Sequence, residues 1–140
     1  MNTSECSTSC FPTSGSYWVL MTMEPVEGSR GVPYKEQCQL LQNQWMYPPT
    51  ILEVATVCLS LYVTKRKTLF PSTGPLTYTR CAEDLHGKQV VVGNYGETKG
   101  LYVGLDVFDD NNPAIGIVGT SSNFAFMHAV VSMIFGGLTG

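Results

Sequence analysis

Five cysteines and two histidines are the side chains of this sequence best suited to nucleophilic or metal chemistry. Cys81 and His86 lie five apart, and a cysteine nucleophile needs such a base nearby to become thiolate. The reading favoured at this pair is a disulfide or a buried thiol beside a loop histidine. Cys6 and Cys10 form the one close cysteine pair; a structural zinc site wants two close pairs, or a cysteine pair with a histidine pair. His86 and His128 are far apart. Asp106, Asp109 and Asp110, with Glu97, could in principle divide acid and base roles. However, Asp109-Asp110-Asn111-Asn112-Pro113 is a strong turn signal, because Asp and Asn side chains bond their own backbone. Counted from Asp106 as a calcium loop, the sixth residue is Asn111 and the twelfth Ile117, where an EF-hand needs Gly and Glu. No phosphate-binding glycine loop is present. The basic run Thr64-Lys65-Arg66-Lys67 is read as a solvated turn. Nucleophile, base and orienting group do not converge, so the expectation is a non-catalytic protein with no cofactor.

The elements that would position these residues read mainly as strands. Residues 1–15 are rich in Ser, Thr, Cys, Pro and Gly and read as a flexible N-terminal segment; 16–140 read as a single β domain. Ser16–Met23 is apolar on both strand faces. Pro33–Tyr47 is the best helix, opened by Pro33, rich in helix formers and stopped by Pro48-Pro49. Cys38, Leu41 and Trp45 would share one of its faces; a strand over 38–46 competes. In Ile51–Thr64, Val57, Leu59, Leu61 and Val63 alternate with Thr56, Cys58, Ser60 and Thr64, the period of a long half-buried strand. Short strands follow near 68–70, 76–81 and 88–92. Leu101–Phe108 and Ala114–Gly119 read as a β-hairpin across the Asp-Asn turn. The apolar run Phe124–Phe135 fits a helix or a strand, with strand slightly favoured. Turns recur every 8–12 residues or so, which points to a mainly β fold, an antiparallel up-and-down barrel or sandwich with one short helix.

The whole-chain figures narrow the class. The chain has 140 residues, 44% hydrophobic and only 14% charged, with net charge −3. That is the size of one domain and hydrophobic enough for a core, which argues against disorder. An acidic chain with no basic stripe argues against nucleic acid. No apolar stretch reaches the roughly 20 residues that span a bilayer. The polar N-terminus lacks signal-peptide features. Low charge and abundant Ser/Thr suit a secreted or extracellular surface protein, possibly of a virion, with a cytoplasmic location kept open. In an oxidising setting the five cysteines allow up to two disulfides.

The segment Leu101–Val118, with Asp109 and Ala114 at matching places, resembles the late hairpin of lipocalins, although Asp110 and Pro113 stand where that family has tyrosines. Gly15-Ser16-Tyr17-Trp18 is similar to the family's Gly-x-Trp opening with one residue added. The resemblance implies a calycin-type barrel holding a small apolar molecule in its mouth. Within such a barrel Trp18 lies near the closed end. Leu101, Val103, Leu105 and Val107 face inward, because the alternate set includes Asp106, whose unpaired burial is costly. Tyr102 and Phe108 then face out, Met127 in and His128 out. Gln89-Val90-Val91-Val92-Gly93 is similar to the Gln-x-Val-x-Gly wedge of cystatins, which implies protease inhibition. The main alternative is a surface β-sandwich that binds a protein or glycan receptor, with the apolar C-terminal run burying against a sister subunit in a homo-oligomer.

Overall fold

A computed structural model describes residues 15–70, 76–96, 98–105 and 111–121. In chain order these form β1 (Leu20–Met21), α1 (Tyr34–Gln42), α2 (Ile51–Lys65), β2 (Tyr78–Leu85), β3 (Lys88–Gly96), β4 (Gly100–Leu105), β5 (Ile115–Gly116) and β6 (Thr120–Ser121). Val107, Asp106, Phe108, Met127, His128 and the run 124–135 lie outside the described residues, as do Cys6 and Cys10.

The expected mainly β barrel or sandwich with one helix is corrected on two counts. Among the described residues there are two helices, and the main sheet is open, with strand order β4-β3-β2-β5. β2 and β3 make an antiparallel hairpin closed by His86 and Gly87 between the paired Leu85 and Lys88. Both turn residues have positive φ, 55° and 79°, as a two-residue turn matching the strand twist requires. β4 returns antiparallel along β3, whereas β5 pairs with β2 in parallel. The expected hairpin of Leu101–Phe108 with Ala114–Gly119 is therefore absent: β4 and β5 form opposite edges of the sheet. With no closed barrel, there is no barrel mouth.

The second correction is Ile51–Lys65, expected as a strand and found as α2. The same residues satisfy both periods. Val54 and Cys58 are fully buried, with Ile51, Val57 and Leu61 packed beside them, at helical spacing. What decides is the start. Glu53 N–H donates to Thr50 Oγ1 at 3.1 Å, and Thr50 N–H donates to Glu53 Oε1 at 2.8 Å. This reciprocal capping box satisfies two donors that a helix start leaves orphaned. The core lies where α2 covers β2 and β3, from Val54 and Cys58 to Cys81, Val92 and Val118.

On the other face of the sheet a charge is buried. Arg80 is 1% exposed. Its Nη1 donates to Val32 O at 2.8 Å and to Gln37 Oε1 at 3.0 Å. Gln37 Nε2 donates in turn to Ser29 O at 2.7 Å, which ties α1 and the loop before it to β2.

β6 belongs to a separate small ladder. Leu20 pairs with Ser121 and Met21 with Thr120, antiparallel. On the far side of β6, Tyr47 pairs with Thr120, again antiparallel. β1 and the segment ending at Tyr47 thus run parallel to each other on either side of β6.

Candidate functional site

The expected chemistry at Cys81 and His86 is not assembled. Cys81 is fully buried under α2, and His86 is at the exposed tip of the β2–β3 hairpin. Burial pushes the Cys81 thiol well above the ordinary cysteine range, helped by the nearby Glu83 carboxylate. Burial alone raises Cys58 to about 11. Thiols held protonated in this way are poor nucleophiles. Cys38, Cys58 and Cys81 are all free thiols, which corrects the expected disulfides among the described residues.

Of the residues expected to line a barrel, Leu101 packs at the margin of the main core. Leu105 is half-buried, and Val103 is 48% exposed. Tyr102, on the opposite face of β4, meets Tyr78 edge to face with centroids 5.9 Å apart. The Gln89–Gly93 segment lies within β3, paired on both sides, with Val91 and Val92 fully buried. It is a central strand here, not a free wedge.

Trp18 is different. It is 80% exposed, and the chain's other tryptophan, Trp45, is 81% exposed. The small ladder explains why they share an end. Met21, Thr120 and Tyr47 align across it, so Trp18 lies three residues back on one outer segment and Trp45 two residues back on the other. The two backbones are separated by two strand spacings, about 10 Å. Tyr17 and Tyr47, both partly exposed, complete this aromatic end. The Tyr17 hydroxyl donates to Glu53 Oε2 at 3.1 Å, which fixes the segment before β1 to the start of α2. Partial burial raises the pKa of this phenol, reinforced by the Glu53 carboxylate and by Tyr47 beside it.

Trp45 owes its exposure to the way α1 ends. Trp45 N–H donates to Gln42 O at 3.1 Å, and Met46 N–H donates to Leu41 O at 2.9 Å. These two bonds make a Schellman motif, in which the residue after the cap is left-handed and is most often glycine. That residue here is Trp45, at φ 60°. Met46 then packs onto the cluster of Leu41, Val26 and Ile117, the hydrophobic contact that accompanies the motif. The expected helix to Tyr47, with Trp45 on the face of Leu41, is corrected accordingly. The left-handed residue swings the indole away from that face.

Two shallow hollows flank the aromatic end. One of about 300 Å³ is lined by Gly15, Tyr17, Val19, Leu52, Thr56 and Val57, among others. The other, of about 580 Å³, is lined by Gln42, Asn43, Trp45 and Met46. The second has no charged side chain. Beside Glu53, Glu83 reaches from β2 to the first turn of α2 and accepts from Ile51 N–H at 2.7 Å. Burial raises its pKa, opposed by that backbone bond.

The sequence marks Trp18 through a barrel that the described residues do not form, and helical spacing sets Trp45 on the face of Cys38 and Leu41. The signal for Trp45 was weak: no glycine follows α1, so the left-handed residue had no obvious marker. The signal for α2 was available in Thr50-x-x-Glu53. Comparison with protein-family models, curated proteins and solved structures gives no match. Among the described residues, no helix is long and apolar enough to cross a membrane.

Proposed function

We propose that this chain is a non-catalytic binding module that engages its partner through the aromatic end formed by Tyr17, Trp18, Trp45 and Tyr47. The observation that carries this reading is the exposure of both tryptophans, 80% and 81%, at the same end of one small ladder. Tryptophan is large enough to be highly buried in most folds, and it dominates the energetics of binding surfaces. A small apolar ligand would have to rest on this open surface, since the described residues form no barrel. A secreted or extracellular location goes with the same reading, in keeping with the sparse charge.

The test is a titration of the full chain, followed by indole emission. The probes are neutral oligosaccharides, a proline-rich peptide and zwitterionic lipid vesicles. A saturable blue shift with one of them, removed in the Trp18→Ala/Trp45→Ala double variant, is the expected result. No shift with any class, or a shift that survives the double substitution, overturns the reading.

A second reading concerns self-association. Leu52, Leu59 and Val63 are 59%, 47% and 72% exposed on α2. With Thr56 they follow the 4-3-4 spacing of a coiled-coil seam, β-branched residues alternating with leucine. A homodimer through this seam would give a sedimentation coefficient that rises with concentration and falls back to the monomer value in Leu59→Lys.

A further inference from the structure

We propose that the hollow of Gln42, Asn43, Trp45 and Met46 is a saccharide site, with the Trp45 indole as the platform for a neutral sugar ring. The proposal rests on the reading of the aromatic end as a binding surface and names its ligand class.

Trp45 carries a backbone cost. A bulky residue at φ 60° is unfavourable, because the left-handed conformation brings Cβ against the following carbonyl. Such a residue persists when its surroundings fix it, and it gathers at functional sites. Here two hydrogen bonds fix the backbone of the turn. The side chain returns little to the fold, since Trp45 is 81% exposed. The large side chain at the position best suited to glycine is thus unexplained by stability. It is explained if the rigid turn serves to hold an indole face open to solvent in one orientation.

The lining then selects the ligand. Gln42, Asn43, Trp45 and Met46 carry no charge. A phosphate-bearing ligand would meet no cation there, and nucleic-acid affinity depends on such cations. Gln42 and Asn43 present carboxamides, which both donate and accept. The Asn43 carboxamide is oriented by Gln39 Nε2, which donates to its Oδ1 at 3.2 Å. Sugar hydroxyls also both donate and accept, so they match carboxamides in either sense. The C–H face of a pyranose ring is apolar and flat, and it offers weakly positive hydrogens to the negative face of an aromatic ring. An uninterrupted proline run supplies backbone carbonyl acceptors and no N–H donors, so it would use only the donor half of each carboxamide. The hollow is open and shallow, lined by four side chains of one short segment, so a ring would lie on it rather than within it.

The test is calorimetric titration of the full chain with maltotetraose, cellotetraose and chitotetraose, alongside a proline-rich peptide. The expected result is saturable binding of at least one tetrasaccharide. Trp45→Ala should weaken it tenfold or more, and Gln42→Ala by less. Thermal melting of each variant confirms that the fold is intact. Absence of binding by every saccharide overturns the proposal, as does binding that Trp45→Ala leaves unchanged. If the peptide alone binds, and the double tryptophan variant abolishes it, the saccharide assignment falls while the aromatic end stands as a binding surface.

Discussion

The two helices end on left-handed residues of unlike fate. After α2, Arg66 is at φ 52°, and its N–H donates to Tyr62 O at 2.9 Å. After α1, Trp45 is at φ 60° and closes a Schellman motif. Neither position is a glycine, so each bears a similar backbone cost. Arg66 offsets part of it locally, because its guanidinium lies over the Tyr62 ring at 5.2 Å, and Tyr62 in turn packs against Tyr95 with centroids 5.3 Å apart. Trp45, 81% exposed, offsets little of it. At Arg66 the side chain contributes to the fold, and at Trp45 it is left to solvent.

Substitutions at these two ends measure the difference. The largest effect belongs to Leu41, which is fully buried and receives Met46 to close the α1 terminus. Leu41→Ala should cost roughly 3 kcal/mol in urea denaturation. A cost under about 1 kcal/mol would mean that the contact closing the motif is not formed. Next comes Trp45→Gly. Relief of the left-handed strain exceeds the added freedom of the unfolded chain, so the variant should be more stable by about 0.5–1 kcal/mol. A loss of stability would show that the indole packs, and would remove the distinction between the two ends. Arg66→Gly gains the same relief but loses a cation–π contact of about 0.5–1 kcal/mol. Its urea midpoint should stay near that of the parent chain, and a gain equal to that of Trp45→Gly would erase the contrast.

The start of α2 gives the smallest effect, visible only against pH. Burial raises the pKa of Glu83 in the fold, so the native chain holds this proton to higher pH than the unfolded chain does. The stability this provides is complete below the ordinary carboxylate range and is lost as pH rises through the raised value. Glu83→Gln has no such loss. Between pH 4 and 7 its urea midpoint should therefore improve relative to the parent chain; parallel curves would place Glu83 in water.

The sequence was legible where local chemistry has one solution. Pro33 and the helix formers after it mark α1, and the β2 and β3 strands are visible in their valine-rich and alternating runs. It was misread where two periods coincide. Val57, Leu59, Leu61 and Val63 alternate, yet Val54, Cys58 and Leu61 also line a helix, and only the cap at Thr50 and Glu53 separates the two. Partner choice between strands was not legible at all. Ile115 lies ten residues from Leu105 and so invites a hairpin, but it pairs with Tyr78 on the other edge. The aromatic end was half legible: Trp18 stood out, while the exposure of Trp45 depends on a single backbone angle.

The ladder that gathers the two tryptophans joins Leu20 to Ser121, across about a hundred residues of chain. Contacts of such sequence separation form last in folding, because the loop they close must first be shortened by everything between. With only two residues in each of β1 and β6, this junction has few ladder bonds to hold it when the protein opens locally. Amide exchange at Leu20 and Met21 should accordingly outpace that of Val91 and Val92. The platform is completed only on a finished fold, and a nascent or damaged chain would be unable to display it.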